Sequence, residues 1–408
     1  MLPVSDGPTT MSSARIRLAL LALAIGGFGI GTTEFATMGV LPDVTGDLGA
    51  TIPQGGHLVS AYAVGVVVGA PVLAVLGARL PRKALLLALM ATFTVFNGLS
   101  AMAPSFGTLV LARFAAGLPH GAYFGVAALV AASLVPPDRR ARAVARVMLG
   151  LTTANVVGVP LATLLGQQLG WRSTYWAVTV IGVLALAAVT KAVPETPLQE
   201  GAGARQELGA LHRPQVWLTL LVGAAGFGGF FAVYSYISPT LTEVSGYSEA
   251  GVPVALALFG IGMTIGTELG GRLADWSVLR TIYLGLGSTA LALAAFPFTA
   301  GGVVTAGVSV LLIAVTGSLC LPALQTRLMD VAGDAQTLAA AGQHAALNVA
   351  NALGAWLGGV VIAAGLGYTA PAVVGALLAL VGLAVLTVST ALDRQQRPAP
   401  ERVLVPSA

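Results

Sequence analysis

The 408-residue chain is 56% hydrophobic and only 9% charged, with 52 glycines and a mean hydropathy of +0.87, whereas about a quarter of a soluble domain is charged. Twenty Lys plus Arg against sixteen Asp plus Glu give a net charge of +4, too sparse over this length to build a basic face for nucleic acid. One cysteine, Cys320, and four scattered histidines exclude an intrachain disulfide, a Cys-x-x-Cys pair and a His/Cys metal cluster, so no cofactor is called for and a membrane protein remains.

Residues 1–14 form a polar, proline-containing tail in which Met11 offers an internal start. A transmembrane helix takes roughly 20 mainly apolar residues, and runs of that kind follow twelve times: 16–40, 57–78, 84–103, 106–135, 143–167, 173–193, 215–238, 251–272, 281–299, 302–326, 336–365 and 369–391. The first run follows Arg15 and Arg17 as a signal peptide would. It is too long for an h-region, and Glu34 and Pro42 stand where a small-residue cleavage site belongs, so it reads as a retained span. Residues 194–214 are polar and rich in Gly and Pro, a linker between a first bundle of six spans, 15–193, and a second, 215–391; a polar tail, 392–408, ends the chain. Equal halves imply a duplicated unit with its substrate site near the midplane between the repeats.

Short loops rich in Lys and Arg stay in the cytoplasm. Eighteen of the twenty basic residues fall on one side of a twelve-span count; Arg172 lies in an opposite loop and Arg113 inside a span. Arg327 is read as following span 10. Both termini are therefore expected in the cytoplasm of a multi-pass cell-membrane protein.

An arginine inside hydrocarbon costs about 2.5–3.5 kcal/mol even on the lenient insertion scale, so Arg113 should face a polar interior with a partner. Glu34 lies at equal depth, each residue on the order of 10–12 Å from the outer ends of its span. The pair is expected either to carry a proton through Glu34 or to be a structural ion pair. Arg113, Gly117 and His120 share one face of span 4, and His344, Asn348 and Asn351 repeat that spacing on span 11. The histidines and asparagines suit a lined pathway, or hydrogen bonds between helices. Tyr123, one turn beyond His120, is expected to stack on a substrate. Tyr234 and Tyr236, near the outer end of span 7, fit a binding cage or an interfacial belt. Span 5 carries Asn155 and Pro160 among small residues, which suits a pliable helix or simple close packing.

The loop after span 8 reads Gly271-Arg272-Leu273-Ala274-Asp275 with Arg280 beyond, and its counterpart after span 2 reads Gly77-Ala78-Arg79-Leu80-Pro81-Arg82-Lys83. These resemble the cytoplasmic G-x-L-A-D-R-x-G-R-K signature of the major facilitator superfamily, in which acid and bases lock two bundles together. Ala78 and Pro81 depart from it. The basic residues also serve as topology determinants in a solvated loop. Leu109-x-x-x-Arg113-x-x-x-Gly117, Gly31-Thr32-Thr33-Glu34-Phe35, Leu41-Pro42-Asp43, Gly117-Leu118-Pro119-His120-Gly121, Gly170-Trp171-Arg172 and Tyr234-Ser235-Tyr236-Ile237-x-Pro239 resemble its twelve-span drug:proton antiporter branch, which contains arabinose-type efflux proteins and chloramphenicol-resistance exporters.

The resemblance implies an all-α fold of two pseudo-symmetric six-helix bundles, one chain being a complete carrier. It implies an alternating-access antiporter that exports small amphipathic molecules such as chloramphenicol-like drugs against inward protons, or else a sugar or nucleoside metabolite. Glu34 and Arg113 would couple the proton. His120, Tyr123, Asn155, Tyr234, Tyr236, His344, Asn348 and Asn351 would meet the substrate. Arg79, Arg82, Gly271, Arg272, Asp275 and Arg280 would gate it. A proton-independent carrier is the competing transport class; no nucleophile with a base, phosphate loop or metal set supports an enzyme.

Overall fold

The computed structural model describes residues 12–77, 80–136, 139–195, 212–333 and 336–396, so Met11, Arg79 and most of the 194–214 linker lie outside the described residues. Within them twelve helices are long and apolar enough to cross a membrane. In the first half they are Ser13–Gly39, Ile52–Leu73, Arg82–Ala101, Phe106–Ser133, Arg142–Leu169 and Arg172–Ala192; in the second, Pro214–Ser235, Glu249–Trp276, Val278–Thr299, Val303–Ala332, Gly342–Ala363 and Ala370–Asp393. We number these spans 1 to 12, each paired with its counterpart six spans on.

The duplication is visible in how the spans end. Span 1 stops at Gly39, the chain turns at Val40, and a seven-residue helix Leu41–Asp47 continues past Pro42. Span 7 stops at Ser235, turns at Tyr236, and resumes as a seven-residue helix Ile237–Glu243 containing Pro239. A proline early in the second segment has no N–H to donate back across the break, so both breaks sit where the ladder is already interrupted. Spans 2 and 8 match as well. Gly69 of span 2 lies against the Leu118 backbone of span 4, and Gly266 of span 8 against Val315 of span 10, so close that a side chain at either glycine would meet backbone. Small residues allowing such approach are how helices associate where lipid supplies no hydrophobic drive.

Several span ends differ from the sequence reading. Span 2 begins at Ile52 rather than 57, because Thr51 and Gln54 cap one another: Thr51 N–H donates to Gln54 Oε1 at 2.8 Å and Gln54 N–H to Thr51 Oγ1 at 3.4 Å. Span 10 runs on to Ala332 rather than ending near 326. Arg327 therefore lies within the span, 7% exposed, and not in the loop after it. Its Nη1 pairs with Asp393 Oδ2 at 3.4 Å and its Nη2 donates to Gln215 Oε1 at 3.5 Å, tying spans 7, 10 and 12 together.

The two halves meet at the end that carries Pro42 and Pro239. Ser60 Oγ donates to Ala352 O at 3.1 Å, linking spans 2 and 11, and Gln167 Nε2 donates to Glu249 O at 2.9 Å. Gly260 of span 8 touches the Asn155 carbonyl of span 5. Phe35, Met38, Val59 and Val159 of the first half share one apolar cluster with the second. Arg272 and Asp275, in the last turns of span 8 and not in a loop after it, lie at the opposite end.

Substituting Gly69→Val should destabilise the solubilised protein by about 1–3 kcal/mol through overpacking against backbone. Gly125→Val, at a position with open space around it, should stay within about 0.5 kcal/mol. Thermal unfolding in detergent followed by tryptophan fluorescence compares the two; equal losses would contradict the backbone contact between spans 2 and 4.

Candidate functional site

The site is built around an arginine that the fold must bury. Arg113 is fully buried in span 4. Its Nη1 donates to Thr33 Oγ1 at 2.9 Å and its Nη2 to Thr33 O at 3.0 Å. The Thr33 hydroxyl, accepting from the cation, donates in turn to Asn97 Oδ1 at 2.6 Å, and Asn97 Nδ2 donates to Phe93 O at 2.8 Å. The guanidinium carbon lies 4.4 Å from the Tyr62 ring centre and 5.5 Å from that of Tyr175, close enough for cation–π attraction in a desolvated setting. Tyr175 shares a 3.0 Å hydrogen bond with Thr37. Spans 1, 2, 3, 4 and 6 thus all contribute to holding one cation.

This cage reaches the Pro42 end of the molecule. Trp171 meets the Tyr175 ring edge-on at 5.9 Å, and its Nε1 donates to Asp47 Oδ2 at 2.9 Å. Arg172 Nη1 donates to the same oxygen at 2.6 Å, and Nη2 to Ala103 O at 3.2 Å. These donors, Arg172 first and Trp171 second, hold the Asp47 carboxyl below its ordinary value. The clasp joins three loops of the first half.

Glu34 is 7% exposed and lies within electrostatic reach of Arg113, Tyr62 and Tyr234. Among the described residues no ion pair joins it to Arg113. Equal depth pointed to Glu34 as the direct partner, and its neighbour Thr33 holds that place. A helix turns about 100° per residue, so Thr33 and Glu34 leave span 1 in different directions. Glu34 lies within reach of Tyr234 of the second half, and Phe35 beside it stacks on Phe231 at 6.3 Å and meets Tyr234 edge-on at 5.5 Å.

The other expected residues divide. Tyr234 stacks on Phe259 at 4.1 Å with its ring against the interface. Asn155 lies in a π-helical turn, Ala154–Gly158, where the Val159 N–H reaches back to Ala154 O. Pro160 has no N–H for the carbonyl four residues earlier, which accounts for the altered ladder. Among the described residues the buried Asn155 Oδ1 has no hydrogen-bond partner, nor do Asn348 Oδ1 and both amide atoms of Asn351. Buried polar groups are normally paired. His120 Nδ1 shares a 3.1 Å hydrogen bond with the Tyr62 hydroxyl, and His344 stacks in parallel on Phe124 at 6.0 Å, joining spans 4 and 11.

Two of the expected residues are enclosed. Tyr123 is wholly buried within the first bundle, its hydroxyl donating to Leu23 O at 2.9 Å and its ring against Gly26. Tyr236 is equally enclosed: its hydroxyl donates to Ala355 O at 2.7 Å and lies against Gly56 and Gly359, closing the Pro42 end. The expected gating residues Arg272, Asp275 and Arg280 lie on helix ends open to solvent. Arg272 pairs with Glu268 on its own helix at 2.9 Å, and Arg280 lies over Trp276 at 4.9 Å. Asp275 is exposed beside Gly271, and Arg82 opens span 3. Arg272, Asp275 and Arg280 make no pair with the first half among the described residues. Sequence reasoning missed Thr33, Tyr62 and Tyr175 as partners of Arg113 and Asn97 as the partner of Thr33; the one signal was Asn97, the lone amide in span 3.

The family profile of the Major Facilitator Superfamily matches residues 23–343. The chain belongs to that superfamily. It is 44% identical over 395 residues to the inner membrane transport protein YdhP of Escherichia coli K12, covering 96% of this chain and 99% of the relative. It is 36% identical over 359 residues to a chloramphenicol resistance protein of Streptomyces lividans, covering 86% and 90%. Among solved structures it matches a bacterial homologue of the human lysosomal transporter Spinster, inward-facing and unoccupied, with a TM-score of 0.80 at 18% identity over 96% of this chain and 100% of that one. The resemblance drawn from the motifs and the two-bundle fold both hold. The family is one of membrane transporters for small molecules, not of enzymes.

The cage makes a prediction that separates it from a Glu34–Arg113 pair. Thr33→Val should cost about 1–3 kcal/mol of unfolding stability, because a buried cation loses an acceptor. Glu34→Gln, which breaks no direct bond to the cation, should cost under about 1 kcal/mol. The reverse order in thermal unfolding would show that the carboxylate is the principal partner.

Proposed function

We propose that the protein is a proton-coupled efflux transporter that exports small amphipathic molecules by alternating access. The observation that carries this reading is Glu34, a carboxyl between the halves whose neighbouring cation is bonded to Thr33. A carboxylate not neutralised by direct pairing is costly away from water, so its proton occupancy depends on which opening admits water. Protonation from the outside would cancel the charge and favour one orientation of the bundles, and release to the cytoplasm would favour the other. Arg113, fixed by its cage, supplies a constant field that assists deprotonation. The arginine-rich loops favour a cytoplasmic position for both termini, and Arg82, Arg272, Asp275 and Arg280 would come together when that side closes.

The substrate would meet Tyr234, with Asn155 Oδ1, Asn348 Oδ1 and the Asn351 amide offering polar atoms unbonded among the described residues, and His120 and His344 below them. An aromatic wall beside amides suits a neutral molecule with an apolar body and polar arms. The S. lividans relative makes chloramphenicol the first compound to test. A sugar or nucleoside exporter is the second reading, favoured by the unbonded Asn348 Oδ1 and the unbonded amide of Asn351 among the described residues.

In inverted membrane vesicles from an efflux-deficient host, an imposed pH gradient should drive chloramphenicol uptake by the wild type, and Glu34→Gln should reduce it at least about tenfold. Unchanged gradient-driven uptake in Glu34→Gln would remove Glu34 from coupling. Uptake of a nucleoside or sugar in place of chloramphenicol would select the second reading.

A further inference from the structure

A groove of about 450 Å³ runs between spans 1 and 5 toward the basic end of the molecule, with Arg17 and Arg146 at its rim and Leu21, Phe28, Leu149 and Thr153 along it. Both arginines are exposed, and neither has a carboxylate partner among the described residues. The groove floor is firm, because Gly150 lies directly against the Ala24 carbonyl.

Its direction follows from span 5. Leu149, Thr153, Val157, Leu161 and Leu165 recur every fourth residue on one helix face, and the four apolar members are 58%, 43%, 55% and 38% exposed. The face stays exposed past the level at which Asn155 meets Gly260 of the second half. It therefore faces lipid rather than the transport pathway. From Arg17 to Phe28 the groove rises on the order of 16 Å along the helix, about half the roughly 30 Å hydrocarbon thickness and so the depth of one leaflet.

We propose that this groove is a binding site for an anionic phospholipid of the leaflet at the basic end, its phosphate held by Arg17 and Arg146 and an acyl chain lying along Leu21, Phe28 and Leu149. Two unpaired guanidiniums at headgroup level select negative charge. The apolar trough below them takes a hydrocarbon chain, which a free phosphate lacks. The occupant would rest against Thr153, one residue before the π-helical turn that bears Asn155, and so would touch the part of span 5 that meets the second half.

Native mass spectrometry of the full-length protein in detergent tests this with added dioleoyl phosphatidylglycerol and dioleoyl phosphatidylcholine. The expected result is preferential retention of phosphatidylglycerol, weakened roughly fivefold for each guanidinium removed in Arg17→Gln and Arg146→Gln, the factor equivalent to about 1 kcal/mol per basic residue at an anionic surface. Thr153→Trp, which fills the groove and leaves both charges, should lower retention of both lipids. Lys191→Gln, at the basic end but outside the groove, should change neither, and the comparison of these last two keeps the test decisive if the arginine variants do not purify. Equal retention of the two lipids, retention unaffected by all the groove substitutions, or displacement of phosphatidylglycerol by inorganic phosphate alone would overturn the proposal.

Discussion

A guanidinium deep in hydrocarbon must be given hydrogen-bond acceptors without surrendering the helices that cross the membrane, and much of the first bundle is arranged around meeting that need for Arg113. Span 1 supplies both the hydroxyl and the carbonyl of Thr33, span 3 orients that hydroxyl through Asn97, and the rings of Tyr62 and Tyr175 cover the cation from spans 2 and 6. Tyr175 then packs on Trp171, which is fastened to Asp47. Because every partner lies within the first half, the cation can remain in place while the halves move. Glu34 is left one residue away, within reach of Tyr234 of the second half.

The second half answers with aromatic surface and no charge of its own at that level. Tyr234, Phe231 and Phe259 pack around Phe35 and one another, so moving the halves apart exposes rings and the carboxyl together. Backbone crossings between spans 2 and 4, and between spans 8 and 10, keep each half stiff through glycine contacts. Contacts between the halves include several adaptable ones: a serine hydroxyl on a carbonyl, a glutamine on a carbonyl, and one pair of parallel rings, Phe124 and His344. Rigid halves joined by such contacts are the mechanical requirement for rocking about a central site.

The spans were legible because hydropathy and loop charge are properties of segments, and the duplication because Pro42 and Pro239 punctuate matching positions. Glu34 and Arg113 stood out because charge in an apolar run is rare. Their geometry did not follow from depth: the rotation of span 1 aims Thr33, not Glu34, at the arginine. The hydroxyl partners of Tyr123 and Tyr236 were hidden for the same reason, since no spacing along one helix reveals which backbone carbonyl a tyrosine will find. Arg327 looked like a loop residue until Asp393 and Gln215, distant in sequence, were brought beside it.

The central claim is that the protonation state of Glu34 selects the orientation of the two halves while Arg113 stays fixed. Spin labels on Leu80→Cys and Trp276→Cys, both exposed at the basic end of opposite halves, report that orientation directly, with the buried Cys320 left in place. Double electron–electron resonance in lipid nanodiscs should show the distance distribution shifting between alkaline and acidic buffer in the otherwise native protein, and a single distribution at both in Glu34→Gln. A full pH-dependent shift persisting in Glu34→Gln would contradict the account.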